Sequence, residues 1–190
     1  MSTEDVASSS PTPADAGGEP VVAVDADDNE LDIVDRLEAH TGDGIRHRAF
    51  TCLLFDEAGR LLLAQRAPAK RLWDTYWDGT VASHPAPNQS QLEATRERLE
   101  EELGVTPDQY DDLEVTDRFE YKRFFENEGL EWEVCAVLKA TLTDASLAPN
   151  PDEIGGLLWV DYDHLHEHPE FYRQLDFCPW FTIAMRRDFA

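Results

Sequence analysis

Positive charge is scarce in this chain. Its 190 residues carry 16 Lys and Arg against 40 Asp and Glu, a formal net charge of -24, and Lys70, Lys122 and Lys139 are its three lysines. Nucleic acid and anionic membranes are polyanions, so such a balance argues against general binding to either. It suits high salt, where counter-ions screen self-repulsion, and a halophilic cytoplasm is the expected setting. Long apolar runs are also missing: none reaches the ~18 residues that span a bilayer. No basic region followed by an apolar one opens the chain, so no signal peptide is expected. Cysteine is sparse. Cys52, Cys135 and Cys178 lack metal-finger spacing and read as buried thiols in a reducing compartment.

What is present divides unevenly. Residues 1–28 are read as a disordered acidic tail and residues 29–190 as one domain, with a short strand and turn left open within Pro20–Glu30. Two apolar runs around Asp56-Glu57-Ala58-Gly59 read as a β-hairpin. Ser90-Gln91-Leu92-Glu93 is a capping box, and Gly104 ends the helix that it opens. Residues 117–125 and 130–142 read as paired strands joined through Asn127-Glu128-Gly129. Residues 155–165 supply another strand, and Pro179 stands at the N1 position of a C-terminal helix. The pattern is α+β.

Three features carry chemistry. Glu131 and Glu133 alternate in a strand, so their carboxylates share a face. With His40, His47 and His84 they would suit a borderline divalent ion such as Mn²⁺ or Zn²⁺, octahedral if all five bind. Each residue alone is more commonly structural; the five together make the case. Second, no acid occurs from Ala58 to Trp73, a window holding Arg60, Arg66, Lys70 and Arg71. In so acidic a protein, an anion such as a diphosphate is the favoured reason. Third, Glu97 to Val105, "ERLEEELGV", forms a glutamate-rich helix after a loop.

That helix resembles the Nudix box, whose glutamates hold Mg²⁺ against a diphosphate. Ser83 and Gln89 stand at its first Gly and first Glu, and Glu97-Arg98 replaces Arg-Glu, while Leu99, Glu101, Glu102, Gly104 and Val105 fit. Taken with "EAHTGDGIRHRAF", "RAPAKRLWDTYWDGTVASHP", "RFEYKRF", "EWEVC" and "CPWF", residues 30–185 resemble the type I isopentenyl-diphosphate isomerases. The resemblance implies a Nudix-like α/β/α sandwich with a mixed central sheet. It implies isomerisation of isopentenyl to dimethylallyl diphosphate by protonation and deprotonation. Carried over residue by residue, it gives Glu133 and Tyr121 as catalytic, and Arg36, Arg66, Lys70, Ser83 and Trp180 as substrate-binding. It places His40, His47, His84, Glu131 and Glu133 on one metal ion and Glu102 on a diphosphate-bound Mg²⁺. The family's second acid–base residue, a Cys, is Ala82 here. Cys178, or a water held by Ser83, is an expected substitute. A Nudix-type hydrolase using Glu101 and Glu102, and a diphosphate binder without activity, stay open as alternatives.

Overall fold

The computed structural model describes residues 18–126 and 128–190. It begins with a correction. Pro20–Val24 (β1) pairs antiparallel with Glu30–Asp35 (β2), and Val21 to Val24 are buried. The folded domain therefore includes residues 20–28, which the tail reading excluded; residues 1–17 lie outside the described residues. Five apolar residues of β1 become a strand because they cover an existing sheet edge, with Ala23 opposite His47. Asp35 then caps a short helix, Arg36–Ala39 (α1), accepting from Leu37 N and Glu38 N.

The hairpin forms and then splits. His47–Asp56 (β3) and Arg60–Arg66 (β4) share a single aligned pair, Phe55↔Leu61. Into the gap run Trp77–Asp78 (β5) against β4 and Val81–Ser83 (β6) against β3, with Thr51↔Ala82. Two features fit this wedge between the strands. The buried Thr80 hydroxyl donates to Leu62 O and accepts from Leu54 N, both at 2.8 Å, tying β3 to β4. Gly79 passes so close that a Cβ there would sit 2.9 Å from Leu53 Cδ2 and 3.1 Å from Cys52 O.

The helix Gln91–Leu103 (α2) keeps its expected capping box, Glu93 N to Ser90 Oγ at 3.2 Å and Ser90 N to Glu93 Oε2 at 2.9 Å. Gly104 ends it in the left-handed region, φ 66°. Tyr110–Phe125 (β7) and Gly129–Leu142 (β8) pair antiparallel as expected; Asn127 lies outside the described residues. The strand Ile154–Asp161 (β9) lies beside β4. The chain closes with Tyr162–Glu167 (α3) and Pro179–Asp188 (α4), Pro179 at N1.

The central pairing is β3 with β8, parallel from His47↔Glu133 to Asp56↔Leu142. A parallel pair buried on both faces reads as near-continuous apolar sequence, as residues 49–55 and 134–138 do. Leu53, Cys135 and Val137 join Trp180, Phe181 and Ala184 of α4 on one face; Phe50, Leu54 and Leu138 join Ala94, Leu99 and Leu103 of α2 on the other. This is the expected α/β/α sandwich on a mixed sheet.

Candidate active site

Sheet register assembles the site. Glu133 lies opposite His47 across the parallel ladder and opposite Tyr121 across the antiparallel one. Residue alternation puts Glu131 on the same face. His40 arrives from the C-cap of α1, and His84 directly follows β6. The ligand atoms of His40, His47, His84, Glu131 and Glu133 all lie within 4.8 Å of one another. His40 Nε2 is 2.7 Å from Glu131 Oε2, and His84 Nε2 is 2.9 Å from Glu133 Oε1. Backbone carbonyls orient two of the rings: His40 Nδ1 donates to Arg36 O at 2.6 Å, and His47 Nδ1 to Ile45 O at 2.7 Å. Those bonds leave the Nε2 atoms to face the carboxylates.

The electrostatics fit a cation. Burial opposes Glu133's charge, but the imidazoles of His47 and His84 outweigh it and hold the carboxyl well below the usual range. Burial raises Glu131, with His40 pulling the other way. Burial pushes His84 down to about 3, so its ring is neutral and able to ligate. His47 Nε2 is buried and stands 3.5 Å from Glu133 Oε1, without a hydrogen-bond partner among the described residues. Three imidazole nitrogens and two carboxylates converging in a buried site match a borderline divalent ion.

The remaining expected residues border this cluster. Tyr121 Oη donates to Glu133 Oε2 at 2.6 Å. Burial, then the charge of Glu133, raises Tyr121 well above the usual phenol value, so the proton between the two oxygens rests on Tyr121. Arg36, Arg66, Ser83, Tyr121 and Trp180 line one cleft with His84, Glu131 and Glu133. The Arg66 guanidinium stands 5.5 Å from the Trp180 ring centroid. Arg66, Lys70 and Glu102 line an adjoining cavity together with Ala82. Not all of the basic window is there. Arg60 pairs with Asp56 at 2.6 Å and stacks on Trp159, on a different part of the sheet.

Two acids were missed. Glu153 pairs with Lys70 and lies 3.1 Å from Arg98, so the basic window is not free of acid once folded. Asp78 is 4% exposed and accepts from Trp180 Nε1 at 2.8 and 2.7 Å. In sequence it looks like a turn residue before Gly79. The expectation for Cys178 fails: it is fully buried beside Asp78, and burial raises its thiol well above the usual value, which makes it a poor proton acceptor.

The helix α2 does not present a hydrolase-like row of carboxylates. Arg98 donates to Glu102 Oε1 at 2.7 Å and to Glu101 Oε2 at 3.2 Å. Gln89 Nε2 donates to Glu97 Oε2 at 2.6 Å, so two of the departures from the Nudix box bind each other.

The Nudix domain pattern matches residues 45–181. An isopentenyl-diphosphate Delta-isomerase of Haloarcula marismortui is 74% identical over 168 residues, covering 88% of this chain and 90% of the relative. The chain belongs to the isopentenyl-diphosphate Delta-isomerase family. An isomerase of the same name from Halobacterium salinarum is 69% identical over 89% of this chain and 79% of the relative. Among solved structures, DR0079 of Deinococcus radiodurans superposes with a TM-score of 0.70 at 21% identity, over 89% of this chain and 98% of that one. No helix among the described residues is long and apolar enough to cross a membrane.

Proposed function

We propose that this isomerase-family protein converts isopentenyl diphosphate to dimethylallyl diphosphate in the cleft between the His/Glu cluster and Trp180. The observation that carries this is the Tyr121–Glu133 pair, held at 2.6 Å beneath Trp180 and backed by three imidazoles. Protonating an isolated C=C bond creates a tertiary cation, so the donor must be fixed and water kept out. Tyr121, Glu133 and Trp180 are each 5% exposed. Tyr121 Oη and Glu133 Oε2 hold the proton destined for the terminal methylene carbon. Trp180 offers its π face to the positive charge that follows, as its ring already does to Arg66.

His40, His47, His84, Glu131 and Glu133 would hold a Mn²⁺ or Zn²⁺ ion. When bound, it supplies the positive charge that offsets two buried carboxylates. Arg36, Arg66, Lys70 and Ser83 bind the diphosphate, and Glu102 would hold a Mg²⁺ that accompanies it. Holding that end fixes which carbon meets the acid. The acidic chain suits a halophilic cytoplasm and a small-molecule substrate, not nucleic acid.

The test is product analysis in high salt with Mg²⁺, Mn²⁺ and isopentenyl diphosphate, following the dimethylallyl isomer and free phosphate separately. Isomer without phosphate is expected. Phosphate release would establish the hydrolase instead, and neither product would leave only a binder.

A further inference from the structure

An allylic isomerisation moves two protons, one onto the terminal carbon and one off C2. The Tyr121–Glu133 pair accounts for the first. The second needs a base on the other side of the substrate, and Ala82 has no titratable group. Ser83 offers only a hydroxyl, and Cys178 is sealed in the core.

Asp78 remains. It lies in β5, four residues before Ala82, and borders the cavity that Ala82 shares with Arg66, Lys70 and Glu102. Ala82 and Arg66 also line the cleft containing Tyr121, Glu133 and Trp180, so the two spaces share a wall. Trp180 joins the two sides. Its N–H edge lies on the Asp78 carboxylate, while its ring centroid stands 6.1 Å from that of Tyr121. Gly79 N adds a third bond to Asp78, at 2.7 Å.

Anchoring an indole N–H takes only a neutral acceptor, and an amide would do it. A carboxylate buried to this degree is costly, so its presence calls for a use of its charge. We propose that Asp78 is the second acid–base residue of this site, accepting the proton from C2 of isopentenyl diphosphate. This rests on the isomerase reading. A proton passes from the Tyr121–Glu133 pair to the terminal carbon, making it a methyl group. The C2–H bond breaks, its electron pair forms the new C=C bond, and the proton goes to an Asp78 oxygen. Exchange with water returns both groups to their starting states.

Burial pushes Asp78 up to about 6, against the pull of Arg66 and Trp180, which suits a base working near neutral pH. The charged and titratable groups around it are Arg66 of β4, Cys178 before α4 and Cys135 of β8. Lys70, Glu102 and Glu153 lie across the cavity.

The experiment measures kcat and kcat/KM for isopentenyl diphosphate from pH 5 to 9 in wild type, Asp78→Asn and Asp78→Ala. Wild type should lose kcat/KM as pH falls through about 6. Asp78→Asn should lose about 10²–10⁴-fold in kcat with little change in KM, and its residual activity should lack that limb. Added formate should restore turnover to Asp78→Ala in a saturable way. An active wild type without the limb overturns the proposal whether or not the variants fold. So does an Asn variant within about threefold of wild type, or one that is impaired yet keeps the limb. A wild type with no isomerase activity overturns the functional reading itself, and the assignment of Asp78 with it.

Discussion

Stripping divalent ions from the protein with a chelator, in high salt at neutral pH, will lower its melting temperature. The five ligand atoms lie within 4.8 Å of one another, and both carboxylates, Glu131 and Glu133, are buried. At 4.8 Å, the farthest apart they can be, and an effective dielectric constant of about 20, two carboxylate charges repel by about 3.5 kcal/mol. His40 and His84 offset part of this, and a bound ion removes the rest. An ion present at about 100 times its Kd adds roughly 2.7 kcal/mol to the folded state. Each kcal/mol moves the melting temperature of a chain this long by about 2–4 °C, so chelation should cost about 5–11 °C. Thermal unfolding followed by circular dichroism, with Mn²⁺ or with chelator, reads this directly. His47→Ala should melt lower than wild type and lose its response to chelator, because the two perturbations act on one site. A wild-type shift under about 1 °C, or an equal shift in His47→Ala, would refute the assignment of a metal to this cluster.

Tyr121→Phe removes a charge-assisted hydrogen bond worth about 1.5–3 kcal/mol, so kcat should fall about 10- to 150-fold. KM should hold, since the hydrogen bond lost is to Glu133; steady-state kinetics separates the two. Gly79→Ala drives a Cβ to 3.1 Å from Cys52 O, a backbone atom, and should destabilise by about 1–3 kcal/mol in denaturant titration. Arg98→Ala leaves Glu102, 5% exposed, without its guanidinium partner. The same titration should show a loss of about 3 kcal/mol, the low end for a broken buried pair, because Arg98 is partly exposed.

What the sequence made legible was local. The capping box of α2, the Pro179 start of α4 and the turn between β3 and β4 are each specified within a few residues. That His40, His47, His84, Glu131 and Glu133 converge was legible through motifs, although they come from the end of α1, β3, β8 and the residue after β6. Long-range pairing was not legible. Nothing near Asp56 says that β3 and β4 part after one aligned pair, or that residues 77–83 fill the gap. The tail boundary at residue 28 takes in Pro20–Val24, a stretch left open as a short strand, because five apolar residues after an acidic stretch give no sign of the sheet edge they cover. Asp78 was passed over for the same reason: its meaning depends on Trp180, 102 residues away. Arg98 looked like a defect in a hydrolase motif, and folding makes it the counter-ion of Glu102.

The measurement that bears most directly on the central claim is turnover of isopentenyl diphosphate in D₂O, followed by NMR. The account predicts dimethylallyl diphosphate with deuterium in a methyl group and one proton lost from C2, with the diphosphate intact, and no such product from Glu133→Gln. Unchanged substrate, released phosphate, or equal deuteration by Glu133→Gln would contradict it.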